Sequence, residues 1–143
     1  IMEVTSISEG LILDHIPAGT AFKVLRYLHI DEKTARLALI MNASSVRYGT
    51  KDIIKIEGRS EIDLNVLALV AKDATVNIVH NGAIAEKLQP SLPDRVRNVI
   101  VCRNPRCITT DERGLDQMFH RCHTSDPSVT EYRCDYCDEK AEL

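Results

Sequence analysis

The sequence predicts an α+β protein in two parts, and three observations carry that reading. All five cysteines lie after residue 101. The preceding residues alternate short β-rich runs with two stretches of helical apolar spacing. The two regions meet at QPSLPDRVRN, residues 89–98, where Pro90 and Pro93 interrupt regular structure. We therefore expect a first domain over residues 1–96 and a second over residues 97–143.

LILDHI (11–16) reads as a strand that stops at Pro17. In TAFKVLRYLHI (20–30), Ala21, Val24, Leu25 and Leu28 fall at i, i+3, i+4 and i+7, the apolar stripe of a helix. RLALIMN (36–42) reads as a strand, SSVRYGTKD (44–52) as a loop, and IIKIE (53–57) as a strand ended by Gly58. Ser60, with Asp63 three residues on, is a capping signal for a helix over EIDLNVLALVAKDA (61–74). There Leu64, Leu67, Ala68 and Ala71 repeat the helical spacing. TVNIVH (75–80) and AIAEKL (83–88) are strands joined by Asn81-Gly82, a strong hairpin dipeptide. The order β-α-β-β-α-β with one added hairpin strand is the ferredoxin-like pattern. It predicts an antiparallel sheet with two helices on one face and the opposite face open.

Composition excludes several classes of function. At 143 residues, 44% apolar and 27% charged, the chain is globular. The net charge is −3, divided −1 through residue 96 and −2 after it, so neither part offers the basic excess of a nucleic-acid binder. Aromatic residues make up only 4%, with no Trp, which leaves few platforms for stacking bases. No run approaches the roughly 18 apolar residues of a membrane span. Residues 1–7 lack the basic and apolar stretches of a secretion signal, although the opening Ile1-Met2 suggests residues upstream. We expect no nucleic-acid or membrane partner, and a cytoplasmic location.

The cysteines point to metal. Cys102 and Cys107 have four residues between them, and Cys134 and Cys137 have two. Two such turns place four thiolates around one ion, and zinc is the expected metal in a reducing compartment. Four thiolates leave no coordination position for water or substrate, so the site is structural. A 47-residue unit with one Phe and two Tyr needs such a staple. His120, Cys122 and His123 are spare donors. Because the two pairs already fill the shell, Cys122 is expected as a small buried side chain and the histidines at the surface. The βαβ surroundings of a redox C-x-x-C are missing.

The first part carries no P-loop, G-x-G-x-x-G, G-x-S-x-G or H-E-x-x-H motif. Asp14 and His15 are adjacent in a strand, so they should point to opposite faces. Lys51 and Lys55 share strand parity, and Lys87 lies in the last strand. Three ammonium groups and a carboxylate could hold a polyanion with its ribose, although on composition alone such lysines are surface residues.

The ordered segments LILDHIPAGTAFKVLRYL, GTKDIIKIE, ATVN and QPSLPDRVRNVIVC, followed by the spaced cysteine pairs, resemble the regulatory chain of aspartate carbamoyltransferase. The resemblance runs from about residue 4 to residue 138. It implies a non-catalytic subunit in pyrimidine biosynthesis, with an N-terminal allosteric domain and a C-terminal zinc-ribbon or rubredoxin-like β domain. The first binds nucleoside triphosphates, with or without magnesium: CTP and UTP inhibit and ATP activates. The second docks on the catalytic chain, and regulatory chains form homodimers.

Carried across residue by residue, the resemblance puts Asp14 and Lys55 on the ribose, and Lys87 on the phosphates with His15 and Lys51 beside it. The backbone around Ile7 and Gly82 reads the base, Ile12 and Ile84 pack the pocket, and Thr75 and Asn77 form its floor. Asn104, Arg106 and Asp138 mark the catalytic-chain contact. Thr5 replaces an acidic family position, Gly82 an aromatic one, and Arg106 also departs. The six residues after Cys137 predict a trimmed last ribbon strand. The reading of another class is a zinc-ribbon nucleic-acid adaptor on an RRM-like sheet. It requires exposed aromatics on the central strands, and RLALIMN and IIKIE supply none.

Overall fold

The computed structural model describes residues 6–31, 33–46, 49–58, 62–112 and 114–143. It divides into two compact units, 1–91 and 92–143.

In the first unit the strands sort their residues onto two faces. β1 (Gly10–Pro17) turns Leu11, Leu13 and Ile16 into the core, while Ile12 and Asp14 stay partly exposed. β3 (Gly49–Glu57) does the same with Ile54 and Ile56 against Lys51 and Lys55. With β2 (Leu37–Ser45), β4 (Thr75–His80) and β5 (Ala83–Leu88) they form a sheet in the order β2-β3-β1-β4-β5. Every neighbouring pair is antiparallel. α1 (Ala21–Tyr27) and α2 (Leu64–Val70) supply Val24, Leu25 and Leu67 to the same core as Leu11, Leu13, Ile54 and Val76. The expected element order is therefore present.

The sequence-based boundaries shift for identifiable reasons. The expected loop 44–52 is mostly strand, because Ala43, Ser44 and Ser45 pair with Lys51, Thr50 and Gly49. Ladder hydrogen bonds outweigh the weak strand propensity of Ser and Gly there. α1 ends early because His29 takes φ 54 and the Ile30 amide donates to the Leu25 carbonyl, closing a Schellman turn with His in the usual glycine place. α2 begins late because Asp63 itself is the cap: its carboxylate accepts the amides of Asn65 (3.0 Å) and Val66 (3.2 Å). Ser60 lies outside the described residues. Asn81 and Gly82, with φ 52 and 77, make the tight turn between β4 and β5.

The second unit begins at Leu92, five residues before the expected 97. β6 (Arg95–Arg97) pairs with β7 (Met118–Cys122), and β7 pairs with β8 (Glu131–Cys134). Val96, Ile100, Phe119 and Tyr132 are buried, and the Tyr132 hydroxyl donates to the Pro93 carbonyl. Those contacts carry the proline segment into this unit. A four-residue helix, α3 (Ile108–Asp111), follows Cys107. The short tail returns as one bridge, Arg133 opposite Lys140, with the Ala141 amide on the Tyr132 carbonyl (2.7 Å).

Candidate metal centre and open-face site

The two cysteine turns converge in the second unit. Cys102 Sγ lies 3.6 Å from Cys137 Sγ, and Cys107 Sγ 3.8 Å from Cys134 Sγ. All four sulfurs lie within 4.8 Å of one another. A tetrahedron with 2.3 Å metal–sulfur bonds has edges of about 3.8 Å, so the set fits one ion. The turns are built by backbone bonds. The Asn104 carbonyl accepts the Cys107 amide, and the Cys134 carbonyl accepts the amide of Asp138, which takes φ 63.

Without a cation the site disfavours charge on two of its four sulfurs. Burial pushes the Cys102 thiol up to about 12 and also raises Cys134. Burial acts in the same direction on Cys107, but the Thr109 hydroxyl at 3.1 Å and the Thr109 amide outweigh it, lowering the thiol to about 7. Four thiolates packed here call for a positive ion. Among the described residues no other group of His, Cys, Asp and Glu side chains converges in this way. His120 Nδ1 instead lies 2.6 Å from Asp135, Cys122 is partly buried opposite Glu131, and His123 is exposed. Asn104 is half-buried and receives the Arg106 amide on its side chain, while Arg106 and Asp138 are exposed.

On the open face of the first unit, register draws the expected residues into one row. Ile12 stands opposite Lys55 on one side and Asn77 on the other, and Asn77 stands opposite Lys87. Asp14 stands opposite Thr75, and Lys51 Nζ lies 2.9 Å from Asp14. The expected opposition of Asp14 and His15 is corrected by a bulge between Leu13 and Ile16. His15 adopts φ 58, and its Nδ1 lies 3.1 Å from the Thr75 hydroxyl, so both neighbours reach the same side. The Asn77 side-chain oxygen is buried, with no hydrogen-bond partner among the described residues. Ile84, half-exposed, stands opposite Val79.

A cavity of about 590 Å³ opens beside this row. Ser6, Ile7 and Ser8 form one wall, and Arg36, Lys55 and Glu57 line it further. The Gly82 amide is already donated to the Ser8 carbonyl at 3.0 Å, so that amide is not free to read a base. Thr5 lies outside the described residues. Sequence reasoning missed Arg36 and Glu57, which form an ion pair at 3.5 Å. Glu57 shares the parity of Lys55 and could have been found by it. Reasoning also missed Asp52, fully buried, whose carboxylate accepts the amides of Ala21 (3.1 Å) and Asn42 (2.9 Å). A carboxylate at core parity, in line with Ile54 and Ile56, was its signal.

Comparison with known families agrees with this two-part geometry. The profile described as aspartate carbamoyltransferase regulatory chain, allosteric domain, matches residues 2–91, and the one described as its metal binding domain matches residues 94–142. The chain belongs to this family. The regulatory chain of Bifidobacterium longum is 60% identical over 142 residues, covering 99% of this chain and 100% of that relative. Those of Clostridium botulinum and Clostridium tetani are 44% and 41% identical over 139 and 140 residues, each covering 97% of this chain. The first unit is thus an allosteric domain and the second a metal-binding domain. The chain is a regulatory, non-catalytic subunit.

Proposed function

We propose that the open face binds a nucleoside triphosphate and that the second unit, folded around zinc, presents its cysteine turns to the catalytic chain. The observation that carries the first half is the in-register row Lys55, Ile12, Asn77 and Lys87, with Lys51 and Asp14 beside it. Ammonium groups at Lys87 and Lys51, with His15 near, suit phosphate oxygens. Asp14 and Lys55 suit ribose hydroxyls. The unpartnered Asn77 oxygen would gain a donor from the ligand, recovering about 1–3 kcal/mol of desolvation cost. Ile12 and Ile84 supply apolar contact, Thr75 a floor, and the cavity beside Ile7 the space for a base.

Four thiolates favour zinc, which accepts tetrahedral sulfur sites, and a closed shell gives it a structural role. The regulatory effect then follows from linkage. An effector shifts the balance between two states of the assembly only by its differential affinity, typically about 1–3 kcal/mol. On this reading CTP with UTP inhibits, ATP activates, magnesium accompanies the triphosphate where present, and the chain acts as a homodimer in the cytoplasm within pyrimidine biosynthesis. Asn104, Arg106 and Asp138 meet the catalytic chain. A nucleic-acid role gains no support, since the open faces of β1 and β3 carry Ile12, Asp14, Lys51, Ile53 and Lys55 instead of aromatics.

Calorimetric titration of the zinc-loaded chain with CTP and ATP tests the site. Saturable binding that Lys87→Met weakens about tenfold or more supports it. Absence of binding to the unsubstituted chain contradicts it.

A further inference from the structure

Backbone and side-chain contacts stitch the N-terminal segment to the turn between β4 and β5. Glu9 Oε1 accepts the Asn81 amide at 3.0 Å, and His80 Nδ1 lies 2.8 Å from Glu9 Oε2. The Ser8 carbonyl accepts the Gly82 amide at 3.0 Å, and the Glu9 carbonyl accepts the Gly58 amide at 2.9 Å. Residues 6–8, the wall of the cavity, come just before these anchor points. At the inner end the path is fixed by Gly10. Its φ is 149, and a Cβ there would stand 2.1 Å from the Ile56 carbonyl oxygen, so only glycine lets the chain pass. The lateral position of the wall is set by the Ser8–Gly82 backbone bond and by Glu9 with its partners. Gly82, which has no side chain, adds no buttress beyond that bond.

We propose that Glu9 and His80 are positioning residues that set the width of this cavity, and thereby which nucleobase the chain prefers. The inference rests on the reading that a triphosphate lies on the open face with its base in this cavity. A pyrimidine has one ring and a purine two, so a small outward or inward shift of the wall favours one over the other. The groups assigned to phosphates and ribose stand on sheet strands, Lys87, Lys51 and Asp14 outside the cavity lining and Lys55 within it. The Glu9 carboxyl is held below its usual range, first by the Asn81 amide and then by His80, so Glu9 carries its negative charge at neutral pH. Glu9 and His80 stand behind the wall and do not line the cavity; its charged lining groups among the described residues are Arg36, Lys55 and Glu57. His80 is 65% and Glu9 51% exposed at the side chain, so neither substitution opens the core.

The test uses the full zinc-loaded chain with Glu9→Gln, His80→Ala and both together. Calorimetry measures affinity for CTP, ATP and inorganic tripolyphosphate. The Glu9–His80 clasp predicts that each single variant changes the CTP-to-ATP affinity ratio by about two- to fivefold, and that the double variant adds nothing further. Tripolyphosphate affinity stays unchanged. An unaltered ratio overturns the inference, as does an equal loss across all three ligands, which would mark a merely structural contact. If the unsubstituted chain binds tripolyphosphate but neither nucleotide, the underlying reading of the cavity fails, and the inference with it.

Discussion

At the scale of single residues, Asp52 shows how a side chain outside the binding row can hold it in shape. The Thr20 side chain makes no cap bond to α1, so the Ala21 amide turns to a carboxylate on another strand. The same carboxylate takes the Asn42 amide, freed from its ladder by the bulge in β2, where Asn42 has φ 59. Removing it leaves the buried Ala21 amide and the part-buried Asn42 amide without that acceptor. Asp52→Ala should therefore destabilise the first unit by about 2–4 kcal/mol in chemical denaturation. A loss below about 0.5 kcal/mol would show that water replaces the carboxylate without penalty. The lysines were legible because strand parity alone puts Lys51 and Lys55 on one face. Asp52 was passed over because its role depends on partners 31 and 10 residues away in sequence.

At the scale of elements, spacing and register differ in what they reveal. Cysteine spacing encodes the metal turns almost completely, since each pair closes its own turn and only the meeting of the two turns is tertiary. The hairpin at Asn81-Gly82 was equally local. The bulge in β1 was not, because alternation assumes an unbroken ladder, and the extra residue that brings His15 to Thr75 depends on pairing with β3 and β4. The same limit displaced the start of the second unit. RVR reads as a linker until β7 pairs with it. The elements around the cysteines bury little beyond Val96, Ile100, Phe119 and Tyr132. Chelation should thus abolish ordered structure in residues 92–143 while α1, α2 and the five-stranded sheet persist. Amide hydrogen exchange reads both units at once: lost protection confined to the second agrees with this account, and unchanged protection there contradicts it. Since Cys102 and Cys134 bind protons strongly without a cation, the ion must displace those protons, and chelation should become easier as pH falls.

At the scale of the whole molecule, the two units divide the work. The first combines a packed helical face with an open face of cations, a carboxylate and an amide oxygen that has no hydrogen-bond partner among the described residues, the features on which the proposed ligand site rests. The second is a small sheet dependent on four thiolates. Among the described residues the four cysteines are the one convergent set of metal donors, and the family match makes the chain a regulatory one. The central claim is that ligand binding on the open face changes what an attached catalytic chain does. Its most direct measurement is aspartate saturation of the reconstituted complex, zinc present, with and without CTP or ATP. The account predicts that CTP moves half-saturation to higher aspartate, that ATP moves it lower, and that Lys87→Met removes both shifts while the complex stays assembled. Superimposable curves for the unsubstituted chain under all three conditions would contradict it.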